Sequence, residues 1–165
     1  MHDIETSRPY VTFTDTGGKE QKLEADVVVG CDGSFGPSRS AIPEAKRQTW
    51  QRTYPYSWLG VLADVPPSTD EVMYAWHPHG FALHSMRSAT VSRLYLQVEA
   101  GTDIEHWTDQ RIWDELAQRL GHGQDGWQLG TGPILEKSVL PMHSFVSRPM
   151  RYGRLFLAGD AAHIV

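Results

Sequence analysis

Two short apolar runs, each delivered to an acid beside a glycine, constrain this chain more than any other feature. Leu155-Phe156-Leu157-Ala158 leads into Gly159-Asp160, and Val27-Val28-Val29 leads into Gly30-Cys31-Asp32-Gly33. An unbroken apolar run of this length reads as a strand covered on both faces. A glycine directly after it lets a second backbone or a ligand approach closely. Asp160, ahead of Ala161-Ala162, is predicted to cap a helix, which leaves its second carboxylate oxygen free to accept from a sugar-like hydroxyl. Alone, Asp160 is explained by capping. Two strands that both end in an acid beside a glycine suggest two edges of one ligand groove.

The remaining sequence is read around that groove. Val11 and Phe13 alternate with threonines, Thr16-Gly17-Gly18 supplies a turn, and Leu23 to Cys31 reads as the returning strand that feeds Asp32-Gly33. Pro37 and Pro43 keep the next stretch irregular. Trp58 to Val65 is a strand closed by Pro66-Pro67. Val72 to Trp76 and Gly80 to Ser88 flank a turn as a hairpin, and Ala89 to Glu99 adds a third strand of an antiparallel layer. One helix is predicted: Thr108 caps it, Ile112, Trp113, Leu116, Ala117 and Leu120 form its apolar face, Arg119 lies in its last turn and Gly121 ends it. Strands followed by a packing helix give a mixed α/β chain with a sheet-plus-helix domain.

Composition excludes several classes. A net charge of −5, with 15 Lys and Arg scattered along 165 residues, leaves no basic footprint for nucleic acid. A single cysteine, Cys31, rules out an internal disulfide framework and fits a reducing compartment. The longest apolar runs fall well short of a membrane span, and His2, Asp3 and Glu5 are unlike the start of a signal peptide, so a cytoplasmic location away from membranes is expected.

Three motifs are decoys. Gly121-His122-Gly123-Gln124-Asp125-Gly126 has the letters of a dinucleotide fingerprint but follows a helix, so it reads as a loop. His77 and His79, with His84 nearby, lack a cysteine or carboxylate at ligand spacing, so no metal is expected. Ser38 and Ser85 lack the elbow of a serine nucleophile.

Period-two alternation groups Phe81, Leu83, Ser85 and Arg87 on one strand face and Arg93, Tyr95 and Gln97 on one face of the next. If those faces adjoin, they make an apolar wall ending in hydroxyls and guanidinium groups. Arg87 would grip a carboxylate bidentately, Ser85 and Tyr95 would donate to it, and Phe81 and Leu83 would cover an aromatic ring. A solvated strand face with an exposed arginine is the alternative that alternation leaves open.

The Asp32-Gly33 and Gly159-Asp160 stretches, with Tyr54-Pro55-Tyr56-Ser57-Trp58-Leu59-Gly60, Tyr74 to Val98 and Leu135-Glu136-Lys137-Ser138, resemble the single-component FAD-dependent aromatic hydroxylases. The resemblance runs from about Tyr10 to Val165. It implies the central portion of a flavoprotein monooxygenase fold: residues 1–50 from an FAD-binding domain, 51–145 a substrate-binding sheet with one packing helix, and 146–165 a return to the FAD-binding domain. A fingerprint-bearing βαβ unit would precede this portion and a Pro-rich flavin loop would follow it.

In members of that family acting on 4-hydroxybenzoate, the residues matching Ser85, Arg87 and Tyr95 hold the substrate carboxylate. The one matching Tyr74 bonds the phenol oxygen, and the one matching Arg93 supports flavin and substrate positioning. Those matching Asp160, with Gly159, serve the flavin ribityl chain, while Asp32, Gly33 and Arg39 match residues serving flavin and nicotinamide. Arg39 is the implied phosphate contact of NADPH. The resemblance therefore implies hydroxylation of 4-hydroxybenzoate by O2 and NADPH or NADH, with a flavin hydroperoxide as oxygen donor and Tyr74 as a proton relay. It also implies a homodimer for the full-length protein. Phe35 stands where close relatives carry a histidine linked to NADPH binding, His143 where they carry an arginine, and Trp76 where an asparagine is usual. The first two departures leave nicotinamide choice open, and Trp76, two residues from Tyr74, is the one that would reshape the pocket edge and redirect specificity. A hydroxylase for another aromatic acid, such as 3-hydroxybenzoate or an aminobenzoate, and a truncated non-catalytic fragment are the alternatives.

Overall fold

The computed structural model describes residues 1–164, and the chain divides into two compact units. One comprises Met1–Thr53 with His143–Val165, and the other Tyr54–Met142.

In the first unit, β1 (Tyr10–Thr14) and β2 (Glu20–Glu24) form the expected hairpin, with Tyr10 opposite Glu24. The long returning strand does not form. After β2 the chain leaves the hairpin at Ala25, whose N–H bonds Pro9 O, and resumes as β3 (Val28–Gly30) in a different sheet. The break is a change of partner: β3 lies parallel to β10 (Leu155–Leu157), with Leu157 opposite Gly30, and β10 pairs antiparallel with β9 (Arg151–Tyr152). The two acid-ended strands are therefore neighbours running the same way, and both turns leave the same end of one sheet. On one face of that sheet Val28, Leu155 and Leu157 pack with Ile4, Ile42 and Ala162; on the other, among the described residues, Phe156 of the Leu155–Ala158 run is half-buried and Val29 on the neighbouring strand is 54% exposed, so the cover expected on both sides is complete on one.

The helix that Asp160 was expected to cap is also absent. Gly159–Ala161 is a single 3₁₀ turn with Ala158 at its N-cap, and β11 (His163–Ile164) follows by pairing with β8 (Ile134–Arg148). A strand edge takes the backbone groups that a helix would have used.

The second unit holds most of β4 (Gln48–Ala63), together with β5 (Met73–Ala75), β6 (Ala82–Met86), β7 (Ser92–Glu99) and the greater part of β8, in the order β8-β4-β7-β6-β5. The antiparallel layer forms as expected, but β4 begins ten residues before Trp58, through a polar stretch with no alternation to mark it. From Ser57 onward β4 alternates strictly, as does β7 through Val98. Leu59, Val61, Ala63, Leu94, Leu96 and Val98 face the core, and the residues between them face away.

Helix α1 (Asp109–Leu120) closes the core side. Thr108 Oγ1 accepts from Arg111 N–H, Gly121 ends the helix in the left-handed conformation, and Ile112, Trp113, Leu116 and Leu120 are buried against the sheet. Each such side chain contributes about 1.5–3 kcal/mol by leaving water, so this face, rather than helix propensity, holds α1 in place. The Gly121–Gly126 letters form a turn with a short 3₁₀ segment, as the decoy reading expected. Among the described residues, no helix is long and apolar enough to cross a membrane.

Candidate functional site

The first candidate region is the pair of turns beyond β3 and β10. Asp32 folds back so that its carboxylate accepts the Ser38 N–H at 2.8 Å. Burial pulls the Asp32 pKa upward, but the bonds from Ser38 and the charge of Arg39 outweigh it and hold the group below its ordinary value. This fold-back requires two glycines. A Cβ on Gly36 would lie 2.1 Å from Asp32 Cγ, and one on Gly30 would lie 2.3 Å from Ser38 Cβ.

Arg39 ties the first turn to the second. Its Nε donates to Ala161 O at 3.0 Å, its Nη2 donates to Asp160 O at 2.9 Å, and its guanidinium lies 4.1 Å above the Phe145 ring. Much of the arginine is thus committed to shaping the Gly-Asp turn, which its reading as a phosphate contact did not foresee. Asp160 itself is exposed and makes no capping bond. At Gly33 and Gly159, both with positive φ, no heavy atom of the described residues beyond their chain neighbours lies within 4 Å of where a Cβ would stand. The backbone there is open to a ligand, at the carboxyl ends of two parallel strands where open α/β sheets place theirs. Beside Arg39 lies a cleft of about 430 Å³ whose lining includes the fully exposed Phe35 and Arg47. His143 is exposed on β8.

The second region is the sheet face turned away from α1. Register makes the two strand faces adjoin: Tyr74 lies opposite Leu83, Leu83 opposite Tyr95, and Tyr95 opposite Gly60, in one row across four strands. In the next row Ser85 lies opposite Arg93. Gly60 makes room for its neighbour, since a Cβ there would stand 3.1 Å from Tyr95 Cε1. Trp58 is the hub of an aromatic wall, with its ring edge-on to Phe81 at 5.5 Å and to Tyr95 at 5.9 Å, while Phe81 also meets Tyr74 at 6.0 Å. Such pairs add about 0.5–1.5 kcal/mol beyond burial. The sequence marked Trp58 as the start of a strand and as part of a motif but gave it no place in the site; its parity with Gly60 along β4 was the signal that put it on this face.

Arg93 and Tyr95 line a cleft of about 240 Å³ with Gly60, Glu136, Ser138 and Leu140. Ser85 Oγ donates to Arg93 O at 3.3 Å, a long bond. Arg87 falls just beyond β6, in the exposed turn to β7, where its N–H bonds Val91 O. Tyr74 is 71% and Trp76 81% exposed. The histidines do not gather: His77 and His79 share a turn with ring centroids 4.9 Å apart, while His84 is buried on the core side and accepts the Ser68 N–H through Nε2 at 3.1 Å.

The whole chain, residues 1–165, matches the FAD binding domain family. The chain belongs to that family. Its members' cofactor suits the first region, where two open glycines and an exposed carboxylate stand at the ends of parallel strands. Over 165 residues the chain is 49% identical to p-hydroxybenzoate hydroxylase of Acinetobacter baylyi, covering 100% of this chain and 40% of that protein. It is 26% identical to kynurenine 3-monooxygenase of Salinispora tropica, covering 99% of this chain and 38% of that protein. The chain therefore spans about two fifths of the length of these relatives. Among solved structures, p-nitrophenol 4-monooxygenase PnpA from Pseudomonas putida superposes with a TM-score of 0.66 at 19% identity, over 94% of this chain and 39% of that one. Aklavinone-11 hydroxylase, solved as a ternary complex with FAD and aklavinone, gives 0.65 at 21% identity, over 96% and 30%. The fold is that of the FAD-binding monooxygenases, in agreement with the sequence reading.

Proposed function

We propose that the protein carrying this chain is an FAD-dependent monooxygenase that converts 4-hydroxybenzoate to 3,4-dihydroxybenzoate with O2 and NADPH or NADH. The observation that carries this reading is the register that gathers Tyr74, Ser85, Arg93 and Tyr95 on one sheet face beside the Trp58–Phe81 wall. The identity to a p-hydroxybenzoate hydroxylase supports that substrate over another aromatic acid.

FAD, when bound, supplies the redox and oxygen chemistry. In this reading Asp160 accepts hydroxyl hydrogen bonds from the ribityl chain, the open backbone at Gly33 and Gly159 accommodates close approach, and Asp32 keeps the first turn in shape. Arg39, through Nη1, meets a phosphate of the nicotinamide cosubstrate.

At the edge of the sheet face, Arg87 reaches in from the turn after β6 to grip the substrate carboxylate bidentately, and Tyr95 donates to it. Ser85 turns from its long bond to Arg93 O to do the same. Phe81 and Leu83 cover the ring. Tyr74 bonds the phenol oxygen and passes its proton on, because the ring is attacked more readily once ionised. An ordinary tyrosine is a poor bulk base at neutral pH, so Tyr74 serves as one member of a relay. Arg93 orients substrate and flavin. The whole protein is proposed to be a cytoplasmic homodimer, in keeping with the resemblance and the single cysteine, and light scattering of the full-length protein tests the dimer.

The test of function is NAD(P)H oxidation by the full-length protein with 4-hydroxybenzoate, 3-hydroxybenzoate and aminobenzoates in turn, with product analysis. Stimulation by 4-hydroxybenzoate with 3,4-dihydroxybenzoate formed is expected. Stimulation only by another acid overturns the substrate, and no stimulation by any of them overturns the activity.

A further inference from the structure

Behind the aromatic wall, in the last turn of α1, lies a charge that the proposed chemistry does not use. The Arg119 side chain is 5% exposed. Its Nη2 and Nε meet Glu115 Oε2 at 2.8 and 2.9 Å, and its Nη1 donates to Gln97 O at 2.7 Å and to Phe81 O at 3.4 Å. Burying a guanidinium is costly unless it is paired and bonded, and here the bonds beyond the pair go to Phe81, just ahead of β6, and to Gln97, near the end of β7. Those residues are also clasped to each other, with Phe81 N–H on Gln97 Oε1 at 3.1 Å and Gln97 N–H on Phe81 O at 2.8 Å. Gly80 leaves the approach open, since a Cβ there would stand 3.2 Å from Arg119 Nη1. Phe81 lies just before β6 begins at Ala82, where one backbone bond, from Gln97 N–H, continues the ladder and the Gln97 side chain and Arg119 supply the rest of its hold.

We infer that Arg119 is a positioning residue that acts through Phe81: it holds the main chain of Phe81 and Gln97 so that the Phe81 ring stands against Trp58 and Tyr74 at the distance an aromatic ring requires. This rests on the proposed aromatic-acid site. Loss of the guanidinium removes the short bond to Gln97 O and the second, longer bond to Phe81 O, which keeps only Gln97 N–H, and the wall loosens without any change in a residue that touches substrate carboxylate or phenol.

The test is a double-mutant cycle in the full-length protein with Arg119→Met, Phe81→Leu and the pair, reading 4-hydroxybenzoate affinity by flavin spectral titration together with bound FAD. Arg119→Met is expected to weaken affinity about tenfold, which is about 1.4 kcal/mol, with bound FAD unchanged, and the pair is expected to be no weaker than Phe81→Leu alone. Gly80→Ala, which presses on Nη1 but keeps the Arg119–Glu115 pair, is expected to weaken affinity in the same direction and serves if Arg119→Met does not fold. Additive effects, or unchanged affinity in both Arg119→Met and Gly80→Ala, overturn the inference. An unmutated protein that binds no aromatic acid overturns the underlying site itself, and with it this role.

Discussion

In the first unit the candidate residues are held by backbone, and in the second by parity. The Asp32 turn is shaped by a main-chain N–H, by Gly36 whose hydrogens alone fit beside Asp32, by Gly30 which leaves room for Ser38, and by an arginine reaching the carbonyl of a residue 121 positions away. Tyr74, Ser85, Arg93 and Tyr95 need only antiparallel pairing in the correct register to share a face. The difference is one of tolerance. A turn built on close approach fails outright when an atom is added, whereas a sheet face loses one contact at a time.

The sharpest break of this comparison is Gly36→Ala. The added methyl has no space beside Asp32, and overpacking of this kind costs about 3 kcal/mol. Denaturant unfolding of the full-length protein is expected to show that loss together with poor FAD retention, and a variant as stable as the parent with full FAD contradicts the backbone account.

Arg87→Met acts at the edge of the face, in the turn after β6. Removing a charged partner of a carboxylate costs about 1.5–3 kcal/mol, so 4-hydroxybenzoate affinity is expected to fall about 10–100-fold while FAD stays bound. Unchanged affinity would place the carboxylate elsewhere. Tyr74→Phe keeps the ring against Phe81 and removes only the hydroxyl. Flavin reduction is expected to persist while hydroxylation slows about 10²-fold, measured as product formed per NAD(P)H consumed, and full coupling would eliminate the relay.

The smallest effect sharpens the comparison through pH. His84 is fully buried on the core side between Leu83 and Ser85, with Nε2 accepting from Ser68 N–H and Nδ1 unpartnered. Burial pushes its pKa below the ordinary value of 6.5. The unfolded chain therefore binds the proton more readily, so stability is complete above about pH 6.5 and declines as pH falls from there toward the folded-state value. His84→Gln is expected to flatten that decline between pH 7 and pH 5.5 in thermal melts, and an equal slope in both proteins removes His84 as its source.

Parity and capping were legible because they are local. The Phe81 to Gln97 alternation, Thr108 as a cap, Gly121 as a stop and the apolar face from Ile112 to Leu120 all depend on residues within a few positions of each other. What escaped the sequence depends on partners far along the chain. The Leu23–Cys31 run breaks because β3 takes β10 as its partner, and Asp160 does not cap because β8 takes His163 and Ile164. Arg39 reads as a lone cation until the carbonyls of Asp160 and Ala161 are placed beside it. The length of β4 was hidden by polar residues from Gln48 to Thr53, which carry no alternation to mark a strand.

The central claim, an aromatic-acid site served by a bound flavin, is tested most directly by the visible spectrum of the full-length protein before and after adding 4-hydroxybenzoate. The account predicts a yellow protein whose flavin bands shift on addition. A colourless protein, or a yellow one whose bands do not move, would contradict it.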